Sequence, residues 1–283
     1  MSKNVNIILK GGLGNQLFQF FTAYFLSKKL KMKLAVDVSN YKNNNYRQFR
    51  LLNLLITNKN YFKEFKENFF FRKLKKIYHL FFFNNFEENN SFSYSKAFEK
   101  LDDSKNINLI GFFQSEKYFH ANRNEIIRML NFNKSKKAQN RELASEILNS
   151  QSVAIHIRGG DYINFEKENP GFGTLSKLYY KRAIKIIAKN LNNFNIYIFT
   201  DDKSYFSKKN FLNSHKYTLI DSGSDINDLY LMSLCKHFII SNSTYSWWAA
   251  FFSLYSKKII ISPQKWKFLD SKKNNYYRYR YYI

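Results

Sequence analysis

One cysteine, Cys235, stands in a chain of 283 residues. A lone thiol excludes an intramolecular disulfide and any cysteine-rich zinc site, and it points to a reducing compartment. Five histidines are present and none stands in an HxH or HExxH spacing, so there is no metal signature. No apolar run approaches the ~20 residues that a bilayer-spanning helix needs. The opening residues, Met1 to Leu9, hold an apolar run too short for the core of a leader and lead into glycines, so no secretory leader is expected. No internal repeat is visible. Acids are scarce beside bases, and the formal net charge of +25 at pH 7 suits an anionic partner. The lysines are scattered among asparagine and phenylalanine instead of gathering on one helix or arm, which argues against a nucleic-acid-binding module.

What is abundant is apolar and aromatic: 45% of residues are hydrophobic and 19% are aromatic. That composition excludes disorder, and the length accommodates two modest domains. Aromatics interleave with charge in the tail, Tyr276 to Tyr282. The tail suits either an anionic membrane surface or a return onto its own domain. A cytoplasmic location, with peripheral contact to the inner membrane through this tail, is the expectation.

Periodicity predicts two runs of alternating strand and helix. Val5 to Leu9 reads as a buried strand, Gly11 to Gln16 as a glycine turn that opens a helix through Leu30, and Lys33 to Asp37 as a second strand. The stretch from Asn40 to Asp103 has weak periodicity and reads as helical patches joined by loops. Ile107 to Phe113 reads as a strand, and Glu125 to Leu130 and Arg141 to Leu148 as helices. The second run has strands at Val153 to Arg158, Asn195 to Thr200, Tyr217 to Asp221, His237 to Ser241 and Lys258 to Ser262. Its helices are Lys177 to Leu191, with Tyr179, Ala183, Ile186 and Ile187 on one face, then Asp225 to Cys235 and Thr244 to Leu254. This order predicts two α/β halves with parallel sheets, residues 1–150 and 151–283.

Three segments of the second half carry chemistry. In Val153 to Tyr162 a strand runs into a glycine turn; alternation directs His156 and Arg158 one way and Ile155 and Ile157 the other. Arg158 then lies near the carboxyl end of the strand, where open α/β sheets bind ligands. Its planar guanidinium suits a phosphate, or else pairs with a neighbouring carboxylate. Phe199-Thr-Asp-Asp202 sets two acids at the same edge, suited to hydrogen-bonding a nucleoside or to capping the next helix. Ile239 to Ala250 passes through Asn242, Ser243, Thr244, Tyr245 and Ser246 into a helix whose amino terminus favours anions. Trp247 and Trp248 read as core. Together these loops fit a nucleoside diphosphate, its phosphates at Arg158 and the Ser/Thr loop, its base and ribose at Asp201, Asp202 and Asp228.

In the first half, Gly12-x-Gly14 after a strand, with Asp37 ending the next, suggests a dinucleotide site and a nucleotide-dependent oxidoreductase. The third glycine of that fingerprint falls at Leu17, which opposes the suggestion. Gly14, Asn15 and Gln16 suit hydrogen bonds to a sugar or a phosphate, or a tight strand-to-helix turn.

The set GGLGNQLFQ (Gly11 to Gln19), GFFQSEKYF (Gly111 to Phe119), HIRGGDY (His156 to Tyr162), FTDD (Phe199 to Asp202) and ISNSTYSWWAA (Ile240 to Ala250) resembles the bacterial α-1,2-fucosyltransferases of glycosyltransferase family 11. The motifs follow the family's order over nearly the whole chain. The resemblance implies an α/β fold of GT-B type, two Rossmann-like domains with parallel sheets facing an interdomain cleft. The C-terminal domain is then expected to bind GDP-fucose and the N-terminal one to serve the acceptor, an oligosaccharide or glycolipid, with no metal or other cofactor. His156 and Arg158 match the start of the family's HxRRxD, whose first arginine is expected to hold the β-phosphate; Gly159 stands where the family has a second arginine, and Asp161 keeps the acid. Asp228 resembles the acid that contacts guanine. The implied reaction is an inverting transfer of fucose to the 2-hydroxyl of a terminal galactose, with Asp161, or else Glu166, as the base. Another GDP-deoxysugar is the alternative donor.

Overall fold

Alternation decides the first strand: in Asn4–Ile8 (β1), Val5 and Ile7 are buried on one face while Asn4, Asn6 and Ile8 point to the other. The computed structural model describes residues 3–42, 47–63, 83–88, 93–133, 138–160, 173–209, 212, 215–264 and 281–282. The chain divides into two units, Met1–Asn131 and Phe132–Ile283.

In the first unit β1 pairs in parallel with Lys33–Asp37 (β2) on one side and Asn106–Ile110 (β5) on the other. The helix Leu13–Lys29 (α1) between β1 and β2 presents Leu17, Phe18, Phe21 and Phe25 to the core. Phe18 and Phe21 both pack on Phe119, with ring centroids 5.7 and 6.3 Å apart. Between residues 40 and 103, the structure contains a one-turn helix, Leu51–Leu54 (α2), and two further strands, Phe62–Lys63 (β3) and Phe83–Glu87 (β4). β4 corrects the expectation of helical patches there. It has no β-branched residue to announce it, and only Phe86 is buried. Its order is fixed by pairing with β5 and by a ladder of amides: Asn6 Nδ2 donates to Asn108 Oδ1 at 2.9 Å, and Asn108 Nδ2 to Asn85 Oδ1 at 2.8 Å. The sheet order is β3-β2-β1-β5-β4. The helix Arg123–Met129 (α3) follows.

The second unit begins before the 1–150 division read from the sequence. Its first helix, Ala138–Asn149 (α4), is tied to the second sheet by the Tyr197 hydroxyl, which donates to Glu146 Oε1 at 2.9 Å. Six parallel strands follow: Ser152–Ile157 (β6), Asn195–Thr200 (β7), Tyr217–Leu219 (β8), His237–Ile239 (β9), Ile260–Ser262 (β10) and Tyr281–Tyr282 (β11), in the order β11-β10-β9-β6-β7-β8. β6 lies inside the sheet and is buried along its whole length, so both of its faces are core, as in parallel sheets covered on two sides. The helix Lys177–Asn190 (α5) is capped by Ser176 and buries Tyr179, Tyr180, Ala183, Ile184 and Ile187. Tyr180 and Ile184 join the expected face, since the i, i+3, i+4 rows from Tyr180 pass through Ile184 and Ile187, and Ile186, partly buried, packs against the same core. Further helices are Lys203–Lys209 (α6), Asp225–Leu234 (α7) and Thr244–Phe252 (α8). In α8, Trp247 and Trp248 are wholly buried, as expected. Of the tail from Tyr276 to Tyr282, the last two residues form β11 and the others lie outside the described residues. Among the described residues no helix is long and apolar enough to cross a membrane.

Candidate active site

Parallel strands place all their carboxyl ends on one edge, and in the second unit that edge gathers the expected residues. Arg158 leaves β6 there and its Nη1 donates to Asp201 Oδ2 at 2.8 Å, with the side chains only 15% and 27% exposed. The other carboxylate oxygen, Oδ1, accepts the N–H of Gly159 at 2.9 Å. One carboxylate therefore ties the guanidinium to the backbone of its own turn, and partial burial leaves the pair less screened than a surface pair. Gly159 is required by close approach: a Cβ there would meet the Tyr205 ring at 2.7 Å. The ring of Tyr205, on α6, fills the space into which a side chain at 159 would grow.

Asp202 does different work. Its Oδ1 accepts from the Ser204 hydroxyl at 2.8 Å and from the Tyr205 N–H at 2.9 Å, so it caps α6, a helix that periodicity did not announce. Of the two acids at this edge, Asp201 faces the arginine and Asp202 serves the next helix.

His156 lies beneath Arg158 and is buried. Its Nδ1 is 2.7 Å from the Ser241 hydroxyl. Burial, with the Arg158 charge adding, pushes the imidazole down to about 3, so it is neutral at physiological pH. The α5 tyrosines close this layer from below. The Tyr180 hydroxyl donates to the His156 carbonyl at 3.3 Å and that of Tyr179 to the Ile240 carbonyl at 2.6 Å. The neutral histidine thus fixes Ser241, which stands just before the amino terminus of α8.

At that terminus Ser243 caps the helix by accepting the Tyr245 N–H at 3.4 Å. Ser246 is wholly buried and its hydroxyl donates back to the Ser243 carbonyl at 3.2 Å, which turns it inward. Thr244 and Tyr245 are partly buried. The Tyr245 ring lies 5.6 Å from that of His156, and its hydroxyl donates to the Asp225 carbonyl. Through Tyr245 the first turn of α8 meets the first turn of α7, which carries Asp228. That carboxyl accepts from the Ser222 hydroxyl; burial raises its pKa, with the nearby Asp221 and Asp225 adding to the rise, against the pull of Ser222.

In the first unit, Gly14, Asn15 and Gln16 all lie in the first turn of α1, and the amides are engaged. Gln16 is wholly buried; its Nε2 donates to the Gln48 carbonyl at 2.8 Å and its Oε1 accepts the Arg50 N–H at 3.0 Å. Asn15 Oδ1 accepts from Gln114 Nε2 at 2.7 Å. Gln19 works likewise, pairing both amide ends with the backbone of Lys10 at 2.9 Å. These amides fasten loops onto the helix. Asp161 and Glu166, the two candidate bases, lie outside the described residues. Ser241, Tyr205 and Ser222 were not singled out from the sequence; of these only Tyr205 left a trace, in the missing side chain at Gly159.

The architecture is shared with solved enzymes. Fucosyltransferase NodZ from Bradyrhizobium superposes with a TM-score of 0.51 at 12% identity, covering 88% of this chain and 92% of that one. The fold is of GT-B type, and the class of protein is a glycosyltransferase. The family model of glycosyl transferase family 11 matches residues 4–282, and the chain belongs to that family. Two curated relatives, both from Escherichia coli, are similar along their length. An alpha-1,2-colitosyltransferase is 34% identical over 91% of this chain and 90% of its own. The O-antigen biosynthesis glycosyltransferase WbnK is 29% identical over 91% and 93%.

Proposed function

We propose that the chain moves L-fucose from GDP-β-L-fucose to the 2-hydroxyl of a terminal galactose on a glycan acceptor, with inversion, to give an α-1,2 linkage in surface polysaccharide synthesis. The observation that carries this is Arg158, braced by Asp201 at the carboxyl edge of β6 beside the amino terminus of α8. In an inverting transfer the acceptor oxygen attacks C1 while the bond from C1 to the β-phosphate breaks, and negative charge builds on the departing GDP. A guanidinium already held in place stabilises that charge without reorganising. The dipole of α8 acts in the same direction. Neutral His156 adds no charge of its own; it keeps Ser241 in position at the helix terminus. Asp228, with its pKa raised, is the acid for the base of the nucleotide.

That the NodZ structures were obtained with GDP and with GDP-fucose supports a guanosine nucleotide. A second donor has an observation in its favour: the relative at 34% identity is named as a colitosyltransferase, so another GDP-deoxysugar fits the same site. The cation is supplied by the chain itself, and transfer is expected to persist in EDTA. Thermal shift against GDP, UDP, CDP and NAD tests the nucleotide. GDP alone is expected to raise Tm, by the equivalent of about 2.7 kcal/mol at 100 times Kd. A shift with NAD or UDP and none with GDP overturns the reading. Transfer assays with GDP-fucose and GDP-colitose then decide the sugar.

A further inference from the structure

Two glycines follow Arg158, and they are glycine for different reasons. Gly160 has φ +24°, a backbone that strains a side chain, and a Cβ there would lie 3.0 Å from Asp201 Oδ2, the oxygen that accepts from Arg158. Gly159 is not among the residues of positive φ, so its backbone makes no demand for glycine. What excludes a side chain at 159 is Tyr205, whose Cδ1, Cγ and Cβ would lie 2.7, 2.9 and 3.0 Å from the added carbon. These atoms are the root of a side chain and cannot swing aside as the tip of a lysine could. The root itself is fixed from two directions. The Tyr205 N–H donates to Asp202 Oδ1 at 2.9 Å, and the ring packs against the core that holds its buried neighbour Phe206. The turn at 159–160 therefore lies between a rigid ring and a carboxylate. Asp201 can serve the Gly159 N–H through Oδ1 and Arg158 through Oδ2 because the backbone at 159 comes down onto the first turn of α6.

We propose, resting on the reading of Arg158 as the ligand of the β-phosphate, that Tyr205 is a positioning residue for that guanidinium. Its ring is the wall on which the Gly159 turn rests, and it acts on Arg158 through the turn and Asp201 without touching the nucleotide. A cation stabilises the charge of a departing phosphate most when it is already in place, so the wall bears on both the binding of the β-phosphate and the rate of transfer. Removing the ring leaves the arginine and its carboxylate present and frees the turn that aligns them. GDP and GMP separate this role from packing alone. They share base, ribose and first phosphate, and differ in the group that Arg158 is to hold. A ring that served only the fold would alter both nucleotides alike.

Tyr205→Ala is the decisive variant, because it removes the ring and keeps the backbone N–H that Asp202 caps. Calorimetry is expected to show GDP bound about ten-fold more weakly and GMP bound as by the wild type. The kcat for transfer should fall about 10- to 100-fold with the acceptor KM unchanged. In an Arg158→Ala background the same change should leave GDP affinity where it stands, since the group that the ring positions is gone. Tyr205→Phe, which keeps all three contacting atoms, should retain the preference for GDP. A Tyr205→Ala chain whose GDP and GMP affinities both stay within about two-fold of wild type, or fall together, makes the ring a packing residue and overturns the proposal. A phenylalanine variant with the alanine variant's loss assigns the effect to the hydroxyl and overturns it equally. Should Tyr205→Ala not fold, Gly159→Ala tests the contact from the other side: the added carbon should displace the turn and erase the preference, and an intact preference overturns the wall. A wild-type chain that binds GDP no better than GMP defeats the reading of Arg158 itself, whereas a preference lost in Arg158→Ala and kept in Tyr205→Ala defeats the role of Tyr205 alone.

Discussion

The carboxyl edges of the two sheets are built from opposite materials. In the first unit the edge is knitted by neutral amides, Asn15, Gln16, Gln19 and Gln114, whose partners are mostly backbone. In the second it is a charge network in which one carboxylate spans a guanidinium and a backbone N–H over a buried neutral histidine. Satisfied amides hold the loops of that edge rigidly, with Lys10, Arg47 and Glu88 beside them. A guanidinium held by a carboxylate gives fixed positive character at a point, suited to a phosphate. The difference teaches that the polar residues opening α1 are there for shape, and those following β6 for charge.

Arg158→Ala breaks this contrast most severely. It is expected to abolish transfer, a loss on the order of several kcal/mol in transition-state stabilisation. The protein should stay folded, with a modest fall in Tm as Asp201 loses its partner. Arg158→Lys should not rescue, since an ammonium is a point charge without the planar fork. Near-normal turnover in the alanine variant, measured with donor and acceptor saturating, removes the role assigned to the guanidinium.

Gln16→Ala probes the other edge. The change strips the Gln48 carbonyl and the Arg50 N–H of their buried partner and should cost about 1–3 kcal/mol of stability, read by denaturant unfolding. GDP affinity, measured by calorimetry, should be unaltered. Weakened GDP binding with unchanged stability would return Gln16 to the role of a nucleotide ligand and erase the distinction between the edges.

The second edge was more legible in the sequence than the first, for a physical reason. Strand periodicity and glycine turns are local signals, so β6, β7 and α8 could be read from their own residues, and with them the approach of Arg158 to the acids. That the acid would be Asp201 and not Asp202 was not legible. Both follow the same strand, and only the capping bonds to Ser204 and Tyr205 separate them. Tyr205 itself fills Gly159 from a helix that begins more than 40 residues on in sequence. In the first unit, β4 has no β-branched residue, and Glu88 meets backbone N–H groups 24 and 25 residues away. Partners of that kind leave no pattern, because every residue but proline carries the donor. The inward turn of Ser246 was hidden for the converse reason: a serine in a first turn donates to its own helix as readily as to a ligand.

The neutral histidine under the arginine gives the smallest effect at neutral pH and the one that appears only on acidification. The folded pKa of His156, about 3, lies below the unfolded value near 6.5. The unfolded chain therefore binds a proton that the folded chain refuses. The stability contributed by the neutral ring is fully present above about pH 6.5 and is lost as pH falls from there towards 3, by at most about 1.4 kcal/mol per pH unit. His237 behaves likewise: it is pushed down to about 4 by burial and by Lys236, and its Nδ1 accepts the Ile259 N–H at 3.1 Å. The wild-type slope on acidification contains both rings and, with the opposite sign, the raised carboxyls of Glu88 and Asp228, so only a difference isolates one ring. His156→Asn, which retains a polar group for Ser241, should make Tm less sensitive to acidification between pH 7 and about 5 than the wild type, and His237→Asn should remove the share that its own ring contributes. If His156→Asn leaves the wild-type slope unchanged, the ring is not held neutral beneath Arg158, and the charge at that edge is shared with an imidazolium.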